Sequence, residues 1–166
     1  MSAKLKIVLI LVLVILPLDQ LSKWWIAANV SPFEPIEVIP GFFRLTHARN
    51  PGAALGLFQS LHIGVFIALT LAALGLIWSF YRQVEDGDRL SAVSLGLIIS
   101  GALGNLTDRV VHQEVVDFLQ FDLGLFIFPD FNVADSAIVT GVGLLLLDTF
   151  TREAEQAAPR ELEAGG

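Results

Sequence analysis

Residues 90–109 read LSAVSLGLIISGALGNLTDR, an apolar run from Leu90 to Leu106 that ends among Asn105, Asp108 and Arg109. About 20 mostly apolar residues are what a helix needs to cross a bilayer. An ionisable side chain at membrane depth costs at least ~2.5–3.5 kcal/mol on insertion scales, so each one marks a candidate functional site. Two more polar patches follow, Val115-Val116-Asp117-Phe118 and Phe131-Asn132-Val133-Ala134-Asp135-Ser136. Three aspartates and two asparagines therefore gather at the ends of segments otherwise built for lipid. This implies a polar site at one membrane face, with carboxylates available for acid–base chemistry on water.

Three other stretches qualify as spans: Leu5–Ala28, Leu57–Tyr81 and Phe131–Phe150, the last carrying Asp135 near its start and Asp148 near its end. The third and fourth are short and draw part of their length from flanking turns. Lys4 and Lys6 before the apolar core Ile7–Leu18 resemble a cleavable leader. The run continues, however, through Asp19, Ser22 and Lys23 into Trp24-Trp25 without a small-x-small site, so a retained helix is expected. The tryptophans then belong to an aromatic belt. Composition agrees: 54% of the 166 residues are hydrophobic and 16% charged, against ~25% charged in soluble domains. No cysteine is present, which excludes disulfides, thiolate nucleophiles and Cys-based metal sites. A net charge of −7 argues against a nucleic-acid partner.

Lysine and arginine placement sets orientation. Lys4, Lys6, Arg82, Arg89, Arg152 and Arg160 lie on one side, against Arg44, Arg49, Arg109 and Lys23 on the other. Both termini are expected to be cytoplasmic, with the polar cluster facing outward. Residues 1–150 form one four-helix domain in this reading, with 31–56 and 110–130 as extracytoplasmic loops and 151–166 as a disordered cytoplasmic tail. Ile36-x-Val38, the residues up to Thr46 and the run Val115–Phe128 are strand-like. They predict a small sheet on the outer membrane face.

Asp117 and Asp135 are the candidate acid–base pair. Their separation of 18 residues cannot by itself bring them together. Antiparallel pairing of the third and fourth helices makes their outer ends neighbours. Two carboxylates in a partly desolvated place cannot both ionise cheaply, so one keeps a proton. Such a pair deprotonates a water attacking an amide while protonating the carbonyl oxygen. The alternative is a loop acid at Asp117 and a helix-dipole partner at Asp135. Asn105/Asp108 and Asn132/Asp135 have one-turn spacing, and Asp19/Lys23 permits partial neutralisation on the first helix. Asp108–Arg109 offers a structural ion pair. His47, His62 and His112 read as surface or interfacial residues.

Five motifs in order carry a resemblance: Asp19-Gln20-x-Ser22-Lys23, Asn50-x-Gly52-Ala53-Ala54, Gly101-Ala102-Leu103-Gly104-Asn105-Leu106-x-Asp108-Arg109, Val115-Val116-Asp117-Phe118 and Phe131-Asn132-x-Ala134-Asp135-Ser136. Together they resemble the lipoprotein signal peptidases, the bacterial signal peptidase II family of aspartic peptidases. The resemblance implies an α-helical membrane protein of four transmembrane helices, with a small periplasmic β-cradle and a short interfacial helix, acting as a monomer in the inner membrane. It implies removal of the signal peptide from diacylglyceryl-modified prolipoproteins, just before the lipidated cysteine, with no metal or cofactor. Asp117 and Asp135 match the catalytic pair. Asp19, Lys23, Asn50, Gly52, Asn105, Asp108, Arg109 and Asn132 match the residues that support the site and bind substrate. Pro51 and Thr107 depart from the family pattern and bear on substrate preference. A proton- or ion-coupled transporter is the rival class, but its path requires polar residues at several depths.

Overall fold

The computed structural model describes residues 1–52 and 62–157. Four helices dominate: α1 (Ala3–Asn29), α2 (Ile63–Gln83), α3 (Arg89–Val111) and α4 (Val133–Ala157). All four are long and apolar enough to cross a membrane, and the protein is a multi-pass membrane protein. Three strands complete the fold: β1 (Ile36–Ile39), β2 (Phe43–Asn50) and β3 (Val115–Phe121).

The helices begin where side chains satisfy their free N–H groups. Ser2 accepts from the Leu5 N–H at 3.3 Å and Asp88 from the Ser91 N–H at 3.1 Å. α3 is the central helix, packed against α1, α2 and α4. Its small residues permit this, since apolar helices in lipid associate through close backbone approach rather than through expulsion of water. A Cβ at Gly101 would collide with the Ala134 carbonyl oxygen, and one at Gly104 would stand 2.6 Å from the Asp19 carboxylate. Gly141 of α4 likewise lies against the Ser94 carbonyl of α3.

The strands form an antiparallel sheet in the order β1-β2-β3. Ala48 pairs with Asp117 and Asn50 with Val115, so Asn50 and Asp117 share a sheet face one step apart. A buried cluster of Ile26, Val30 and Phe118, with Leu45, Val116, Leu119 and Val133 against it, ties the sheet to the end of α1 and the start of α4. Phe131 then bridges to Leu119, its carbonyl accepting the Phe118 and Leu119 N–H groups at 2.9 and 2.8 Å. This strap fixes the entrance of α4 beside Asp117.

Several expectations change. α3 runs through the polar cluster to Val111, so Asn105, Asp108 and Arg109 are helical rather than the boundary of a short span. α4 continues through Ala157, so residues 151–157 are helical and not part of a disordered tail. Residues 158–166 lie outside the described residues. Residues 53–61 do too, and with them the expected start of the second span at Leu57; the described part of α2 begins at Ile63. No short interfacial helix occurs among the described residues. His47 is buried, its Nδ1 2.9 Å from the Val30 carbonyl oxygen, and is not a surface residue.

Candidate active site

The site begins with the cap of α4. Asn132 precedes the first helical residue, and its Oδ1 accepts the Asp135 N–H at 2.9 Å. Asp135 Oδ2 in turn accepts the Asn132 N–H at 3.4 Å. The reciprocal bonds form a capping box and lock the Asp135 rotamer. The next donor, the Ala134 N–H, is taken by Asp19 Oδ1 at 2.9 Å. One helix N-terminus thus draws in two carboxylates, as its positive dipole end favours.

Asn132 also reaches the sheet. Its Nδ2 donates to Asp117 Oδ1 at 2.6 Å, while Asn50 Nδ2 donates to Asp117 Oδ2 at 3.0 Å. Asn105 Nδ2 donates to Asp135 Oδ1 at 2.7 Å. Each aspartate is therefore held by amides from two different segments. Burial pushes the Asp117 carboxyl up to about 6, and the nearby charge of Asp135 adds to it, against lowering by the bonds from Asn50 and Asn132. Both aspartates line a cleft of about 680 Å³ shared with Asn50, Asn105, Arg109 and Asp130.

Behind them lies a buried charge cluster. Lys23, 4% exposed, places Nζ 2.8 Å from Asp19 Oδ2 and 2.6 Å from Asp108 Oδ2. It also donates to Asn105 Oδ1 at 3.1 Å. The Asp19–Lys23 pairing expected from spacing is present, and it is buried. Asp108 pairs with Lys23 and Gln20, not with Arg109. Arg109 instead donates to the Asn105 carbonyl at 3.2 Å and lies over the Phe66 ring, 5.8 Å from its centroid. Gly52 lets that ring approach, since a Cβ there would meet Phe66 at 2.6 Å. Its N–H bonds Asn50 Oδ1 at 3.2 Å. All ten residues singled out in the sequence thus fall in one connected region.

Three contributors escaped sequence reasoning. Gln20 bonds Asp19, Asp108 and the Gly104 carbonyl; its place inside the first motif was the available signal. Asp130 accepts from Thr46 Oγ1 at 3.0 Å and from Gln120, adding a third carboxylate to the cleft. Only its position before Phe131-Asn132 hinted at that. The Ala134 N–H has no side-chain signal at all. Among the described residues no group of three or more His, Cys, Asp or Glu side chains is arranged to hold a metal ion.

A family model described as Signal peptidase (SPase) II matches residues 10–151. A lipoprotein signal peptidase of Geobacter metallireducens is 42% identical over 159 residues, covering 95% of this chain and 98% of the relative. Another, from Listeria welshimeri, is 43% identical over 141 residues, 85% of this chain and 91% of the relative. A solved structure described as a bacterial membrane enzyme at 2.3 Å superposes with a TM-score of 0.81 and 30% identity, over 92% of both chains. A second, at 1.9 Å, gives 0.78 and 33%, over 86% of this chain and 91% of the other. Fold and likeness together define a multi-pass membrane peptidase. The chain belongs to the signal peptidase II family.

Proposed function

We propose that this protein removes the signal peptide from diacylglyceryl-modified prolipoproteins, cutting just before the lipidated cysteine, with Asp117 and Asp135 as its catalytic pair. The observation that carries the reading is the bridging role of Asn132. One asparagine bonds the Asp117 carboxylate through Nδ2 and the Asp135 backbone N–H through Oδ1. The two acids are thereby held at fixed relative position on one cleft.

The chemistry follows from sharing one proton. One carboxylate takes a proton from the attacking water, and the other gives a proton to the scissile carbonyl oxygen. The resulting diol then collapses. The carboxyl that took the proton from water passes it to the leaving amine, while the other carboxylate takes a proton from a diol hydroxyl. This breaks the C–N bond, forms the new carboxyl group and restores the shared state. With its carboxyl near 6, Asp117 is suited to hold the shared proton. Asn105 holds Asp135 Oδ1 and Asn50 holds Asp117 Oδ2, and the Asp19–Lys23–Asp108 cluster stiffens the wall behind them.

The enzyme acts as a monomer in the bacterial inner membrane, with both termini cytoplasmic and the cleft at the periplasmic face. Substrate is held there by its lipid, which sets the height of the scissile bond and offsets the entropy of positioning it. Incubating the purified protein with lipidated and unlipidated prolipoprotein tests this by product size. Cleavage of the lipidated form alone is expected; equal turnover of both would contradict it.

A further inference from the structure

We propose that the inner end of the helix bundle reads the positively charged start of the signal peptide through Glu85 and Asp88, while an apolar stripe on α4 carries the peptide from there to Asp135. This rests on the signal-peptidase reading above and adds a second recognition point at the far end of the substrate.

The stripe is Asp135, Val139, Val142, Leu146 and Thr149, spaced four, three, four and three residues apart. That is the seam by which one helix receives another. Ala134, Ala137, Gly141 and Asp148 occupy the opposite, buried face of α4. Among the described residues nothing covers the stripe: Val139 is 71% exposed, Val142 42% and Leu146 52%. At its inner end Leu146 and Thr149 open into a separate cleft of about 540 Å³, which Phe80, Glu85, Asp88 and Arg152 also line.

Charge selects the occupant. Asp88 and Asp148 share the single guanidinium of Arg152, at 2.6 and 2.9 Å. The Glu85 carboxylate has no partner among the described residues. The cleft is thus lined by two carboxylates, Glu85 and Asp88, and by one cation, Arg152, whose charge Asp148 also draws on. Lys4 makes no ion pair with these carboxylates, its ammonium being turned to the Tyr81 and Val84 carbonyls. Arg82 and Arg89 flank the turn but do not line the cleft. A signal peptide offers the complement, a cationic n-region followed by an apolar h-region of ~7–15 residues. From Asp135 to Thr149 the stripe runs about 21 Å at ~1.5 Å per residue, the length of such a segment in helical form. A lipid tail matches the stripe but brings no fixed cation at that distance.

The test is a charge swap on the purified enzyme in detergent, where substrate topology is not imposed by a membrane. Two lipidated prolipoproteins, with Lys or with Glu in the n-region, are given to wild type and to Glu85→Lys. Wild type is expected to favour the Lys substrate by about fivefold in kcat/KM, as for an exposed ion pair. Glu85→Lys is expected to reverse that preference, and its activity on the Glu substrate shows that the variant is folded. Equal treatment of both substrates by both enzymes would overturn the inference and leave the stripe to lipid. Failure of wild type to cut either substrate would overturn the signal-peptidase reading itself.

Discussion

The Asp117 carboxyl rests in β3 with both oxygens bonded to amides, yet burial raises its affinity for a proton. Two consequences share one sign. Its value in the folded protein, about 6, lies above its ordinary 3.8, so the folded state binds more protons than the unfolded chain between those values. Asp117 therefore costs stability progressively as pH rises across that window. In thermal melts, the Tm of Asp117→Asn minus that of wild type is expected to grow from pH 4 to about 6 and then level off. In kinetics, kcat/KM for the lipidated substrate is expected to fall as pH rises through about 6, where the shared proton is lost. A flat profile between pH 5 and 8 would remove Asp117 as the holder of that proton. At this scale the sequence was informative about chemistry and poor about partners. It exposed Asp108, Asp117, Asp135, Asn105 and Asn132, because each is anomalous beside an apolar run, and it passed over Asp130 and Gln20. It could not say that Asp108 turns to Lys23 rather than to adjacent Arg109, since neighbours in a helix point to different faces. His47 failed for a similar reason: nothing local indicates that the end of α1 covers it.

Elements decide which of these residues matter jointly. The N-terminus of α4 is fixed by its capping box, by Asp19 and by the strap of Phe131 on β3. Asn132→Ala removes the cap and the tie to Asp117 together. Loss of the cap is expected to cost ~1 kcal/mol of stability, while activity falls by at least ~10²-fold because both acids lose their fixed position. Asp148→Asn, at the other end of the same helix, should show the reverse pattern. It weakens bonds to Ser91 Oγ and Arg152 Nε, lowering Tm, yet cleavage persists. Comparable losses of activity in the two variants would contradict this division of roles. The strands were legible from alternation at Ile36-x-Val38 and from the β-branched start of β3. The end of α3 was not, because no Pro or Gly interrupts Asn105–Val111 and only the polarity changes there. Polarity there marks the site and not the helix boundary.

For the whole molecule, orientation and convergence are the remaining claims. Single cysteines placed at Ser2, Gly87, Glu34 and Gln120 of this cysteine-free chain test the first. An external reagent should label Glu34 and Gln120 in intact cells and leave Ser2 and Gly87 untouched; labelling Gly87 but not Gln120 would invert the topology. The four-helix plan was legible from hydropathy, and the antiparallel pairing of α3 and α4 was the topological expectation that brought their outer ends together. What hydropathy could not supply was the register that sets Asn50, Asp117 and Asn132 side by side. That depends on glycines at the α3 contacts and on the β2–β3 pairing. The central claim is that this convergence makes one catalytic unit of Asp117 and Asp135. Single-turnover cleavage of a lipidated prolipoprotein by Asp117→Asn, Asp135→Asn and the double variant tests it most directly. Each single change should lower the rate by at least ~10²–10⁴-fold, and the double variant should be scarcely worse than either, as for groups acting together. If folded Asp117→Asn retained a tenth of wild-type turnover, or if the two losses simply multiplied, the shared-proton account would be contradicted.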